Sequence, residues 1–149
     1  MATPASIKRH PLHPMLVPLP IGLWVFSLVC DIIFRAGWGT QIWNDVATYT
    51  IAGGIVGALL AALPGFVDLT ALDNPKTKTI ALWHMSINLL AVLVYAGNFW
   101  LRLRSAPGSM LPLVLSIAGI ILIGISGWLG GELVYVRGVG VEQPPDQSK

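Results

Sequence analysis

Charge is scarce in this chain. Of its 149 residues only 11% are Asp, Glu, Lys or Arg, against about a quarter in soluble proteins, while 54% are hydrophobic. A water-soluble fold of this length could not hide so much apolar surface in one core; the remaining solvent is lipid. The net charge of +2 is too small to argue for a nucleic-acid partner. The single cysteine, Cys30, lies in an apolar run. That excludes a disulfide framework and a CxxC redox pair, and the residue reads as a small hydrophobe in a helix. No nucleophile–base set, phosphate loop or HExxH motif occurs, so independent enzymatic activity is not expected.

What is present is long and apolar. Four runs can cross about 30 Å of hydrocarbon, which takes roughly 20 helical residues: Met15 to Phe34, Val46 to Val67, Ile80 to Leu101, and Met110 to Val136. The second and third carry no charge, the first only Asp31 and the fourth only Glu132. The expected fold is all-α: one domain over 1–149, an integral membrane antiparallel four-helix bundle with a loose tail over 142–149. Lys8 and Arg9 precede the first apolar run. Prolines interrupt it, however, and Asp31 and Arg35 stand where small residues would mark cleavage, so a cleavable signal peptide is not expected.

Four spans put both termini on one side. Lys8, Arg9, Lys76, Lys78, Arg137 and Lys149 fall on that terminal side, and Arg35, Arg102 and Arg104 on the opposite, distal side. The bias predicts cytoplasmic termini. Trp38, Trp43 and Trp100 fall at the distal interface and Trp83 near the terminal one, depths that amphipathic rings prefer. The connections around Asp73 to Thr79 and Ser105 to Ser109 are proline-, glycine- and polar-rich turns.

Small residues recur at helical spacing: Gly53, Gly57, Ala61 and Gly65 on the second span, and Gly119, Gly127 and Gly131, with Gly130 beside them, on the fourth. Such stripes let helices approach closely in lipid; they could also leave room for a flat cofactor, and spacing does not separate the two.

Ionisable residues gather at one end. His10 and His13 precede the first span, Asp68 closes the second, His84 lies about one turn into the third, and Glu132 about one turn from the end of the fourth. Alternating helix direction sends them all to the terminal side. Such groups in a span usually face the bundle and mark function. His84 and Asn88 share a helix face, with Tyr95 three turns along the same stripe. The second nitrogen of a ligating imidazole needs an acceptor, which Asp68 or Glu132 could supply. Glu132 is expected to face the bundle and pair with a histidine or a basic group. Asp31, at the distal end, is expected to pair with Arg35 one turn away. Asn98 lies near that same interface, away from the histidines.

The segment His10-Pro-Leu-His-Pro-Met-Leu-Val-Pro-Leu-Pro20 holds four prolines in eleven residues. Each removes a backbone donor and biases its predecessor to extended geometry. Pro14 fits a first helical turn with His13 as cap, while Pro18 and Pro20 argue against a smooth helix. One reading is a rigid lead-in at the interface; the other is that the prolines fix His13, and with it His10, over the end of the bundle.

The opening HPLHPMLVPLPIGLW, the WHMSIN of the third span and the closing GWLGGELVYVRGVGV resemble an uncharacterised family of bacterial four-helix membrane proteins, filed as a domain of unknown function. The resemblance covers nearly the whole chain and implies a bacterial inner-membrane protein. It implies no established activity; the occurrence of such domains beside cytochrome and other redox modules points to electron transfer.

The leading expectation is one b-type haem, with electrons passed to or from a redox protein partner near one membrane face. Two imidazoles at similar depth on different helices suit bis-histidine ligation; His13 and His84 meet that need, with His10 as substitute for His13. Asn88, Glu132 and Asp68 would line the site, and the terminal-side cations would hold propionates. Three histidines do not suffice for a second such haem. The alternative is a non-catalytic structural or anchoring subunit of a membrane redox complex, with the same residues as a hydrogen-bonded plug. A third is a small transporter or proton path, disfavoured because no charge lies in the middle of a span. Membrane lipid is an expected contact throughout, and a homo-oligomer is compatible with the sequence.

Overall fold

The structure is a computed structural model that describes residues 3–8, 10–104, 106 and 108–141. Arg9, Ser105, Lys149 and the tail expected over 142–149 lie outside the described residues. The chain opens with a small antiparallel hairpin, β1 (Ser6–Ile7) and β2 (His10–Pro11). There follow α1 (Leu12–Leu16), α2 (Pro18–Arg35), α3 (Ile42–Thr70), α4 (Pro75–Arg102) and α5 (Met110–Gly131), the last running on as a π-helical turn, Glu132–Val136. Four candidate membrane spans result: Leu12–Arg35, Ile42–Thr70, Pro75–Arg102 and Met110–Val136.

The second and third spans are longer than hydropathy alone predicts, because the helices continue beyond the hydrocarbon through polar residues. At α4 the extension is capped: Asn74 Oδ1 accepts the backbone N–H groups of Lys76 and Thr77 at 3.0 and 3.1 Å, with Pro75 in the first turn. The prolines of the first span cost less continuity than expected. Only Val17 interrupts the helix, and its backbone stays αR (φ −56°, ψ −36°), so α1 leads straight into α2. Pro18 occupies the first turn of α2, where a missing N–H is tolerated. His13 lies inside α1 rather than capping it; the cap position is Pro11, with extended backbone.

The bundle is two close hairpins, α1–α2 with α3 and α4 with α5, which meet more thinly through α3–α4 and α2–α5. Two apolar clusters fill it. Trp24, Ile51 and Tyr95 form the middle core, with the Trp24 and Tyr95 rings stacked at 4.1 Å and 9°. Leu69, Leu72, Ala81 and Leu133 close the terminal end, with Val139 against them. Val139 arrives there through a helix stop: its N–H bonds the Leu133 carbonyl at 2.9 Å, and Gly138 takes φ +67°, a left-handed position that suits glycine. Outside, Leu, Ile, Val and Phe side chains such as Phe26, Leu63, Leu93 and Ile121 are exposed, the face a spanning bundle gives to lipid.

Candidate functional site

Between the two apolar clusters lies a layer of imidazoles. His13 on α1 points across to α3, where its Nδ1 lies 2.7 Å from the Ala61 carbonyl. His84 on α4 reaches α5, with Nδ1 2.9 Å from the Ser126 carbonyl and 3.1 Å from the Ser126 hydroxyl. A carbonyl only accepts, so each Nδ1 carries a proton, and in the neutral form of either ring Nε2 holds the lone pair. The rings belong to different hairpins and face one another across the seam, centroids 6.1 Å apart and planes at 87°.

Glycines make this layer possible. A Cβ on Gly65 would stand 2.7 Å from His13 Nδ1, and one on Gly130 3.2 Å from His84 Cε1. The stripe of α3 and part of that of α5 thus admit side chains of this chain, imidazoles included. Gly127 is different: nothing lies within 4 Å of the Cβ position.

The other candidates divide. Asn88 joins the layer: its amide nitrogen lies 3.0 Å from His84 Nε2 and donates to the His84 carbonyl at 2.9 Å. His10 stays outside, exposed, with Nδ1 2.9 Å from the Lys8 carbonyl. Asp68 accepts the Ala5 N–H at 2.9 Å, which ties the N-terminal hairpin to α3. Glu132 pairs with Arg137 at 3.2 Å, both side chains close to 30% exposed. The acceptors for the imidazoles are therefore backbone carbonyls, not the carboxylates of Asp68 or Glu132, because the rings reach over glycine and serine to the neighbouring helix backbone.

The distal end corrects a further expectation. Asp31 pairs with Arg102, 71 residues away, at 2.5 Å, not with Arg35 on its own helix. Arg35 instead donates Nη2 to the carbonyls of Gly108, at 2.8 Å, and Ser109. Asn98 is fully buried: it accepts Arg102 Nε at 3.0 Å and donates to the Pro112 carbonyl and Ser116 Oγ, both at 2.9 Å. Ser116 Oγ in turn donates to Asp31 at 3.2 Å. The sequence signal for this network was the pair Asn98 and Arg102, four apart on one face of α4.

Among the described residues no group of three His, Cys, Asp or Glu side chains could hold a metal ion. A bare ion at the histidine pair would thus lack most of its protein ligands. A macrocycle that brings its own equatorial donors needs only two axial ones. Two imidazoles from separate elements at one depth are the kind of donor pair that such a group takes from protein. At the same end Arg137 Nε is buried with no hydrogen-bond partner among the described residues, a donor free for an anionic substituent.

Comparison with curated proteins and with solved structures gives no match. The family described as "Predicted membrane protein (DUF2231)" matches residues 9–143, which takes in both proline-rich opening and glycine-rich close, and the chain belongs to that family.

Proposed function

We propose that His13 and His84 are the axial ligands of one b-type haem and that the protein carries electrons between this haem and a redox partner at the terminal face. The observation that carries this reading is the pair itself: two Nδ1-protonated imidazoles, from separate hairpins, facing at 6.1 Å. Hydrogen bonds from Nδ1 to carbonyls fix ring orientation and raise the basicity of Nε2. Bound there, the iron would supply one-electron redox chemistry. The chain's own contribution is to hold both rings, exclude bulk water between the two apolar clusters, and offer Arg137, with Lys8, Lys76 and Lys78, as cations at that end. Placement in a bacterial inner membrane with cytoplasmic termini is part of the same proposal, from the basic-residue bias.

Protein expressed with ample haem supply and purified in detergent should contain one haem b per chain by pyridine haemochrome assay. His10→Ala should retain it. Colourless wild-type protein sinks the proposal.

One observation favours the second reading, a structural subunit. The Asn88 amide already meets His84 Nε2, so the layer is in part a self-satisfied polar plug. The readings separate on Asn88→Ala: freeing Nε2 preserves or raises haem content if iron binds there, whereas a plug loses stability and gains nothing.

A further inference from the structure

At the distal end, opposite the histidines, a cavity of about 260 Å³ opens among the ends of α2 and α4 and the starts of α3 and α5. Four charged side chains line it: Asp31, Arg35, Asp45 and Arg102. Two of them are matched, since Asp31 and Arg102 form the buried pair described above. The other two are not matched to each other. Arg35 uses only Nη2, on the Gly108 and Ser109 carbonyls, and Asp45 takes a single bond, from Gln41 Nε2 to Oδ1 at 3.2 Å. Among the described residues the rest of the guanidinium and Asp45 Oδ2 have no partner, and no ion pair joins them.

The cavity therefore sums to zero charge yet presents one free cation and one free anion. Its complement is a neutral molecule carrying a separated anion and cation. The depth says where such a molecule comes from: Trp38 and Trp100 are exposed at this end, with Arg104 stacked over Trp100 at 4.8 Å, and exposed tryptophans mark the headgroup layer. The size agrees. Pockets for whole small molecules run to about 300–1,000 Å³, so this one suits a headgroup, and Phe34, Leu103 and Leu113 give an apolar wall for the glycerol end.

We propose that this cavity binds the phosphoethanolamine headgroup of a membrane phospholipid, its phosphate on Arg35 and its primary ammonium on Asp45. A guanidinium suits phosphate through several parallel N–H donors, and a primary ammonium offers N–H groups that a carboxylate accepts. Phosphatidylglycerol lacks the cation. Phosphatidylcholine has the cation without N–H donors.

The test is native mass spectrometry of the full chain from detergent supplied with equal amounts of phosphatidylethanolamine, phosphatidylcholine and phosphatidylglycerol. One phosphatidylethanolamine should remain bound at least fivefold more often than either competitor. Asp45→Asn, an exposed change, should abolish its advantage over phosphatidylcholine, and Arg35→Gln should lower retention of all three; Asp73→Asn, exposed at the other end, should change nothing. Soluble glycerophosphoethanolamine is the second arm. Failure to displace the lipid identifies the membrane as the source, and displacement identifies the free headgroup chemistry. Equal retention of the three lipids by the wild type, which needs no variant to fold, overturns the proposal, as does an unchanged preference in Asp45→Asn.

Discussion

At the distal end of the bundle the buried charged and polar side chains bond mainly one another; at the terminal end the two imidazoles bond the backbone of neighbouring helices. Asp31, Asn98, Arg102 and Ser116 form a linked set with almost no exposure, bonded to one another and, through Asn98, to the Pro112 carbonyl. His13 and His84 each spend one nitrogen on a carbonyl of the neighbouring helix, and His13 keeps Nε2 unclaimed among the described residues. A closed charged network in lipid fixes which helices meet, because an unmatched charge there is costly. A layer in which His13 keeps a spare lone pair holds its rings without exhausting them. The first arrangement suits structure, the second a ligand.

Breaking the distal network should have the largest effect. Arg102→Leu leaves Asp31 buried without its partner and should cost about 3–5 kcal/mol, read as a fall in melting temperature in detergent. Replacing Asp31 as well, by Leu, should recover most of the loss, since the orphaned charge and not the missing pair is the penalty. If the double variant is no better than the single, the network is not the clamp described.

Gly65→Ala tests the terminal end at its tightest point. A methyl 2.7 Å from His13 Nδ1 forces the ring or α3 to shift, at about 1–3 kcal/mol. Gly127→Ala, with open space at its Cβ, should stay within about 0.5 kcal/mol of wild type. Equal effects would mean the stripe serves general packing rather than the imidazole. Tyr95→Phe keeps the stack on Trp24 but loses the 3.3 Å bond to the Ser116 carbonyl, and should cost about 1 kcal/mol. Smallest is Glu132→Gln: its pair with Arg137 is about a third exposed, and such pairs contribute under about 1 kcal/mol. A larger loss would place Glu132 inside the polar layer after all.

Much of this contrast was legible in the residues, and part was not. Hydropathy and length gave the four spans, and alternating helix direction gave the convergence of His13, His84, Asp68 and Glu132 at one end. Partner choice escaped. Asp31 finds Arg102 through the packing of α2 against α5 and of α5 against α4 and not through helical spacing, so the near neighbour Arg35 was the natural expectation. The imidazoles choose carbonyls, which every residue carries, so no side-chain pattern advertises them. Pro18 and Pro20 looked like breakers. They fall instead in the first turn of α2, where proline's fixed φ suits the helix and a missing N–H is tolerated.

In the proposed function Nε2 of His13, and Nε2 of His84 once released from the Asn88 amide, serve an iron. Dithionite-reduced visible spectra of the wild type, His13→Ala and His84→Ala, each at matched protein concentration, test it most directly. The account predicts the sharp α band of low-spin b haem in the wild type, its loss in His84→Ala, and its loss or conversion to a high-spin form in His13→Ala. An α band that survives both substitutions, or a wild type without one, contradicts it.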